Sequence, residues 1–403
     1  TTATDVYNVA MGYNAGVAVT TGIQNTLIGG LAGDAITDAD YNVAVGYASL
    51  GANVLGSKSV AIGREALANQ NPATALEAFN TAVGYSAGVS VTTGVQNTLI
   101  GGLAGDAITT GDYNVALGRS ALSTNTASNT NVAIGGQSLA DFNVTTDTDT
   151  HNVAVGYATG AAMTTGVLNT LIGGLAGDAL TTADENVTVG YNSLSTNTKS
   201  FYNVAVGSRS LAAHNISSAD TAGYNTAVGT AAGLNVTTGV ENTLIGGLAG
   251  DALTDADYNV AVGKGALTAD TLGSRSTAIG LNTLKVQNFT TATNSDNVAV
   301  GYNAGVANTT GRANTFIGSG AGGSNTDGLA NTFVGHGSGN AVTTPDSNTA
   351  VGYFALGNST PTTGGENVAL GKSAGTAVTS GVSNILIGVD AGNAITTGSS
   401  NII

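Results

Sequence analysis

Apolar and polar residues follow one another along this chain in a line that returns about every 17 residues: Asn, a small or β-branched residue, Ala or Leu, Val or Ile, then Gly. The first copies read NVAMG from Asn8, NTLIG from Asn25, NVAVG from Asn42 and SVAIG from Ser59. The series runs on to NILIG from Asn384 and NII from Asn401, 23 copies in all. Within a copy, period two places β-branched side chains on one face of a short strand and small ones on the other. A second, less regular strand is expected after it, in GVAVTTG after Ala15, GVSVTTG after Ala87 and GLNVTTG after Ala232, with TTG closing the turn to the next Asn. Helix fits poorly, because Gly falls in every copy and 17 matches neither a heptad nor an 11-residue repeat. Two short strands and two turns per 17 residues describe one coil of an all-β parallel β-solenoid, or β-roll. One such repeat cannot bury its own apolar face and must stack on its neighbours. At the usual inter-strand spacing of about 4.8 Å, the copies would build a rod on the order of 110 Å long.

A second level of order is a super-period of 72 residues, once 73, made of four lines. The blocks are 8–79, 80–151, 152–224 and 225–296, followed by looser repeats over 297–403, so the whole of 1–403 reads as one continuous repeat rod. The second line is nearly verbatim four times, NTLIGGLAGDA from Asn25, Asn97, Asn169 and Asn242. The fourth line carries the longer connection: roughly REALANQNPATALEAF, GQSLADFNVTTDTDTH, SRSLAAHNISSADTAGY and LNTLKVQNFTTATNSD. These connections vary in sequence and are expected to protrude on one side, where loops make outside contacts.

Asn opens nearly every line, at Asn8, Asn25, Asn42, Asn80, Asn97, Asn114, Asn131, Asn152, Asn169, Asn186, Asn203, Asn225, Asn242, Asn259, Asn297, Asn314, Asn331, Asn348, Asn367 and Asn384. Stacked in register, such residues form a ladder in which each side-chain amide donates to one neighbour and accepts from the other. Asn also tolerates left-handed backbone at a corner.

Composition narrows the partners. Charged residues are 9% of the chain, Gly is 60 of 403 residues, and Cys and Trp are absent. A net charge of −15 with only ten Lys and Arg excludes a phosphate-binding stripe, and so nucleic acid. No run of 18 apolar residues is present to cross a bilayer. The absence of cysteine fits an extracellular or virion protein. Opening on Thr1 without Met and stopping within a line at Ile403, the sequence reads as a piece of a longer chain.

Candidate chemistry is sparse. His151, His214 and His336 occupy unrelated places in the repeat, so a Ser-His-Asp arrangement is not expected and the chain reads as no enzyme, with no cofactor. Two aspartate rows, Asp34, Asp106, Asp178 and Asp251, and Asp40, Asp112, Asp184 and Asp257, run in register. The first falls in GGLAGDA, which superficially resembles a calcium-binding nonapeptide. With loop carbonyls these rows are weak calcium candidates beside the simpler reading of solvated turn aspartates. The 13 tyrosines flank the strand. Tyr13, Tyr47, Tyr85, Tyr157, Tyr191, Tyr302 and Tyr353 follow the motif glycine, and Tyr7, Tyr41, Tyr113, Tyr202, Tyr224 and Tyr258 precede the Asn. At such corners they pack between coils or subunits, or offer flat faces to sugars. Threonine rows from TTG leave an ice-binding face as a minor alternative. The sequons at Asn143, Asn215 and Asn288 are what Asn/Thr-rich text produces by chance.

NTLIGGLAG is apolar on both sides, and the cheapest cover for its outer face is another copy of the chain. A homo-oligomer is therefore expected, a cyclic trimer before a head-to-tail polymer. Lines such as NTAVGY and TTG before NT resemble the head repeats of trimeric autotransporter adhesins, and more closely the repeat regions of phage tail-fibre proteins. The resemblance runs from Tyr7 to Ile403. It implies a trimeric fibre, and with it the shaft of an extracellular fibre holding a receptor-binding tip away from its base. The alternatives are a surface adhesin whose rod binds glycans or cells directly, and a polymerising extracellular filament.

Overall fold

The computed structural model describes residues 5–216, 221–357 and 361–403. The chain divides into two compact units, one comprising residues up to Phe201 and the other Tyr202–Ile216 with Thr221–Ile403. Each is a parallel β-solenoid with about 17 residues per coil. In the first, eleven three-residue strands from Val9–Met11 to Val187–Val189 form one ladder, Val43 opposite Val60, Ala44 opposite Ala61 and Val45 opposite Ile62. In the second, eleven more run from Val204–Val206 to Ile385–Ile387 with the same register, Val368 opposite Ile385. Equivalent positions of successive lines stack on one another, Val9 opposite Thr26 and Ala10 opposite Leu27, so every face assignment in one coil is copied into the next.

Among the described residues the expected second strand does not run as an extended strand in each coil. GVAVTTG and its equivalents are a succession of tight turns. Left-handed residues at alternate positions curl the chain: Asn14 has φ 55° and Gly16 φ 60°, Leu31 φ 58° and Gly33 φ 55°. The turns are nevertheless linked from coil to coil, since Gly16 N–H donates to Ala32 O (3.0 Å) and Thr20 N–H to Thr37 O (3.0 Å). Backbone pairing therefore continues around the coil without extended geometry, which offsets the strain of a left-handed Leu.

The interior is narrow and filled by exchange of volume. The middle residue of each strand points inward, and Leu27, Ala44, Ala61, Leu99 and Ala116 are all buried. Where it is Ala44, the residue six positions on is Leu50; where it is Leu27, that position is Gly33. A Cβ on Gly33 would lie 2.8 Å from Leu27 Cδ2 and from Ile36 Cδ1. The same trade sets Phe316 against Gly322 and Phe333 against Gly339, and the two phenylalanine rings stack 5.6 Å apart. Where both positions are small, as at Ala82 and Gly88, leucines of the adjacent coils fill the space: a Cβ on Gly88 would lie 2.6 Å from Leu99 Cδ1 and 3.0 Å from Leu67 Cδ2, as close packing of a core one side chain thick requires.

In the three fully described connections only the last part of the long fourth line leaves the stack. Leu67 N–H still donates to Ala87 O (3.0 Å), and Leu67 and Gln70 are buried. The chain then departs over 73–77 and makes a short extra strand, Leu76–Glu77 pairing with Gly56–Ser57. Thr148–Asp149 pairs likewise with Ser128–Asn129, and Thr293–Asn294 with Gly273–Ser274. The third such connection runs through 217–220, outside the described residues, as does the third residue of the sequon at Asn215. Among the described residues no helix is long and apolar enough to cross a membrane.

Candidate functional site

The asparagine column is the most regular polar feature of both units. Its members from Asn25 to Asn384 are buried. Asn25 N–H donates to Asn8 Oδ1 (2.8 Å) and Asn42 N–H to Asn25 Oδ1 (3.0 Å), while Asn25 Nδ2 donates to Ala39 O (2.8 Å). The amide-to-amide contact, Asn25 Nδ2 to Asn8 Oδ1, is longer at 3.3 Å. The main link is thus side-chain oxygen to backbone N–H, rather than amide to amide. Each side chain closes the turn ending its own coil and binds the start of the next. The left-handed corner expected at Asn lies one residue earlier, at Tyr7, Gln24, Tyr41 and their equivalents, with φ of 45°, 55° and 60° at these three.

Where the column breaks, the sequence repairs it. Ser59 and Ser276 stand in place of Asn, and eleven residues on are Gln70 and Gln287. Gln70 Oε1 accepts from Asn80 Nδ2 (2.9 Å) and its Nε2 donates to Ser59 Oγ (3.1 Å). Gln287 does the same between Asn297 (2.9 Å) and Ser276 (2.8 Å). Where Asn131 and Asn203 are present, that position is Phe142 or His214. A buried amide is supplied from one position or the other, because the backbone groups it serves cannot go unpaired.

Burial pushes the pKa of His214 down to about 4, against a smaller opposing effect from its backbone hydrogen-bond contact with Thr237. The folded state therefore binds fewer protons than the unfolded one between about pH 6.5 and 4, and stability from this group falls as pH falls through that window. Replacing His214 by Phe, the residue at the equivalent position 142, is expected to remove about 3 kcal/mol of that acid loss. Chemical denaturation of both proteins at pH 7 and pH 4 measures the difference.

Asp270 breaks a row that is Asn at Asn53, Asn125 and Asn197. It is buried, and burial raises its pKa despite hydrogen bonds from Gln287 Nε2 (2.6 Å), Gly273 N–H (3.0 Å) and Phe289 N–H (3.1 Å). Its charge thus costs stability at neutral pH, and that cost is relieved as pH falls through the raised pKa. Asp270→Asn is expected to stabilise the protein by about 1 kcal/mol at pH 7, less on acidification. Thermal melts across pH show it.

The aspartate rows do separate jobs. In the row at 40, 112, 184 and 257, each carboxylate accepts a backbone N–H from the coil before: Ile23 to Asp40 (2.8 Å), Val95 to Asp112 (2.7 Å), Val167 to Asp184 (2.8 Å) and Val240 to Asp257 (2.9 Å). Burial raises the pKa of Asp112 and Asp257. In the GGLAGDA row, Asp251 accepts from Thr268 Oγ1, while burial raises the pKa of Asp106 and Asp178. Among the described residues no three His, Asp or Glu side chains come together as a group that could hold a metal ion.

His151, His214 and His336 are not brought together; His336 instead stacks on Tyr353 (5.4 Å). The first threonine of each TTG turns its hydroxyl to the next coil, Thr92 to Thr109 O (3.1 Å) and Thr109 to Thr126 O (2.9 Å). Such donors are committed to the stack, which weighs against an ice-binding face. Asn143 and Asn288 accept hydrogen bonds from Thr126 and Thr271.

Two outer features remain. One is the solvent side of the ladder, where Ile62, Leu117 and Ile172 are 39%, 42% and 38% exposed. The other is the set of tyrosines at its margins, all exposed. Beside the first extra strand, Asp40, Tyr41, Ser57, Lys58, Leu76 and Glu77 line an open recess of about 160 Å³, with Lys58 Nζ 2.6 Å from Glu77 Oε1. The chain matches no family model and no curated protein.

Proposed function

We propose that the chain is the shaft of an extracellular fibre, resembling that of a phage tail fibre. It associates with two further copies of itself and holds a receptor-binding tip away from its base. The observation that carries this reading is the apolar outer face of the ladder, repeated coil after coil in each unit. From strand dimensions it covers roughly 500 Å² per unit, at the upper end of what a monomer leaves open. A cyclic assembly of identical chains would cover it along its whole length. The mechanism is mechanical. Backbone links between coils, the asparagine column and a shared apolar axis together resist bending. Sedimentation equilibrium tests the reading: a mass near three times 39.1 kDa is expected, and a monomer at micromolar concentration would refute it.

A further inference from the structure

We propose that a file of tyrosines on the first unit binds a linear, neutral, β-1,4-linked glycan laid along the stack. The position after the motif glycine is Tyr13, Tyr47, Tyr85, Arg119, Tyr157 and Tyr191 in coils one, three, five, seven, nine and eleven. Every second coil thus carries a planar group, an aromatic ring or a guanidinium. Between them stand Gly30, Arg64, Gly102, Gly136 and Gly174. The second unit lacks this order, with Thr230, Lys264 and Leu281 among the residues at the same position.

The glycines shape the rings into a platform. A Cβ on Gly30 would lie 3.6 Å from Tyr47 Cδ2, one on Gly136 3.7 Å from Tyr157 Cδ2, and one on Gly174 3.8 Å from Tyr191 Cδ2. Tyr47, Tyr157 and Tyr191 therefore lean back over the coil before them, yet all five tyrosines stay more than half exposed, from 52% at Tyr47 to 77% at Tyr13. A side chain that reaches between two of these rings indicates what they accept. The Arg64 guanidinium carbon lies 5.9 Å from the Tyr47 ring centroid and 5.8 Å from that of Tyr85, a cation held over both rings.

The ligand class follows from spacing and charge. Rings two coils apart repeat at about 9.6 Å. In a β-1,4-linked chain successive sugars are turned over, so the same C–H face returns at every second sugar, a repeat close to that spacing. Such faces stack on aromatic rings, and hydroxyls at the sugar edge reach hydrogen-bonding side chains. Gln137 stands at the rim of the file, where its Oε1 accepts from Tyr157 OH (3.1 Å), and Asn14 and Asn192 each follow a tyrosine. A chain of net charge −15 repels acidic polysaccharides, which leaves neutral ones. The inference rests on the file alone and stands whether or not the chain trimerises.

The test is calorimetric titration of the full chain with cellohexaose and with chitohexaose, the two common sources of this linkage, and with maltohexaose as the α-linked control. Binding of at least one β-linked hexamer is expected, at least tenfold tighter than its dimer, with no response to maltohexaose. Tyr47→Ala and Tyr85→Ala should each weaken it about fivefold and Tyr47→Phe should not, with unchanged melting temperatures. No heat with either β-linked hexamer at millimolar concentration overturns the proposal, as does affinity indifferent to length or linkage. Should Tyr47→Ala change the oligomeric mass and no glycan bind, the file is a contact between copies instead. The mass of the unmodified protein tests the fibre reading separately.

Discussion

Gly101→Ala is expected to destabilise the protein by about 4 kcal/mol, enough to abolish folding of the coils around it at physiological temperature. Two costs add. The motif glycine has φ 134°, where an L side chain is strained by about 1–3 kcal/mol. Its Cβ would also lie 2.6 Å from the carbonyl carbon and oxygen of Gly118, the motif glycine of the next coil. That neighbour is backbone held in the ladder and cannot swing aside. Other motif glycines repeat the arrangement, a Cβ on Gly29 lying 2.6 Å from Gly46 O and one on Gly46 2.6 Å from Gly63 O. Gly30→Ala is the control: its φ is not left-handed and the nearest atom is 3.6 Å away, so a loss within about 1 kcal/mol is expected. Urea denaturation of the two variants beside the unmodified protein reads the contrast.

Asn97→Ala is expected to cost about 3 kcal/mol in the same assay. The truncation removes the acceptor of Asn114 N–H (3.0 Å) and the donor to Gly111 O (2.8 Å). Both orphaned groups lie inside the coil with no route to water, and each unpaired buried group costs about 1–3 kcal/mol. The Ser–Gln lines add a sharper version. Asn131→Ser alone should destabilise, and so should Phe142→Gln alone, the latter by burying an unused amide. Together they recreate the Ser59–Gln70 arrangement, and the double variant should be more stable than the two single losses predict by about 1 kcal/mol or more. Simple additivity would mean that the glutamine does not replace the missing amide.

The stacking of equivalent positions was legible from the sequence because the 17-residue period survives four different line types. Alternation in NVAVG correctly set Ala44 on the face opposite Val43 and Val45, and the structure turns the Ala44 face inward. The second strand was misread for a physical reason. GVAVTTG has strand composition, but Asn14 and Gly16 are both left-handed. Asn and Gly are the two residues that most readily turn a chain that way, and they stand two apart. That pairing was the available signal, and β-branched content outweighed it. Leu31 and Leu50 are left-handed at equivalent places, a geometry no propensity suggests; coil-to-coil hydrogen bonds impose it. The corner placed at Asn belongs to the residue before it for the same reason. An inward-pointing Asn must bond both the turn closing its coil and the next Asn, so the reversal falls on its neighbour. The exchange of volume between Leu27 and Gly33, and of amide between Ser59 and Gln70, lies openly in the sequence. Each becomes visible only when lines are compared position by position. Of the polar candidates, the row from Asp40 to Asp257 serves backbone N–H groups, a task its regular spacing could not distinguish from metal binding.

Cysteine pairing provides the most direct test of in-register stacking, since the chain has no cysteine of its own. Val45 and Ile62 are Cα partners in adjacent coils, and Ile62 and Val83 in the next pair, so Val45 and Val83 are two coils apart. In-register parallel neighbours lie within reach of a disulfide, and positions two coils apart lie beyond it. A Val45→Cys/Ile62→Cys variant should oxidise almost completely without loss of melting temperature, and a Val45→Cys/Val83→Cys variant should stay reduced within each chain. Equal intramolecular crosslinking of the two, or none in the first, would contradict the stack.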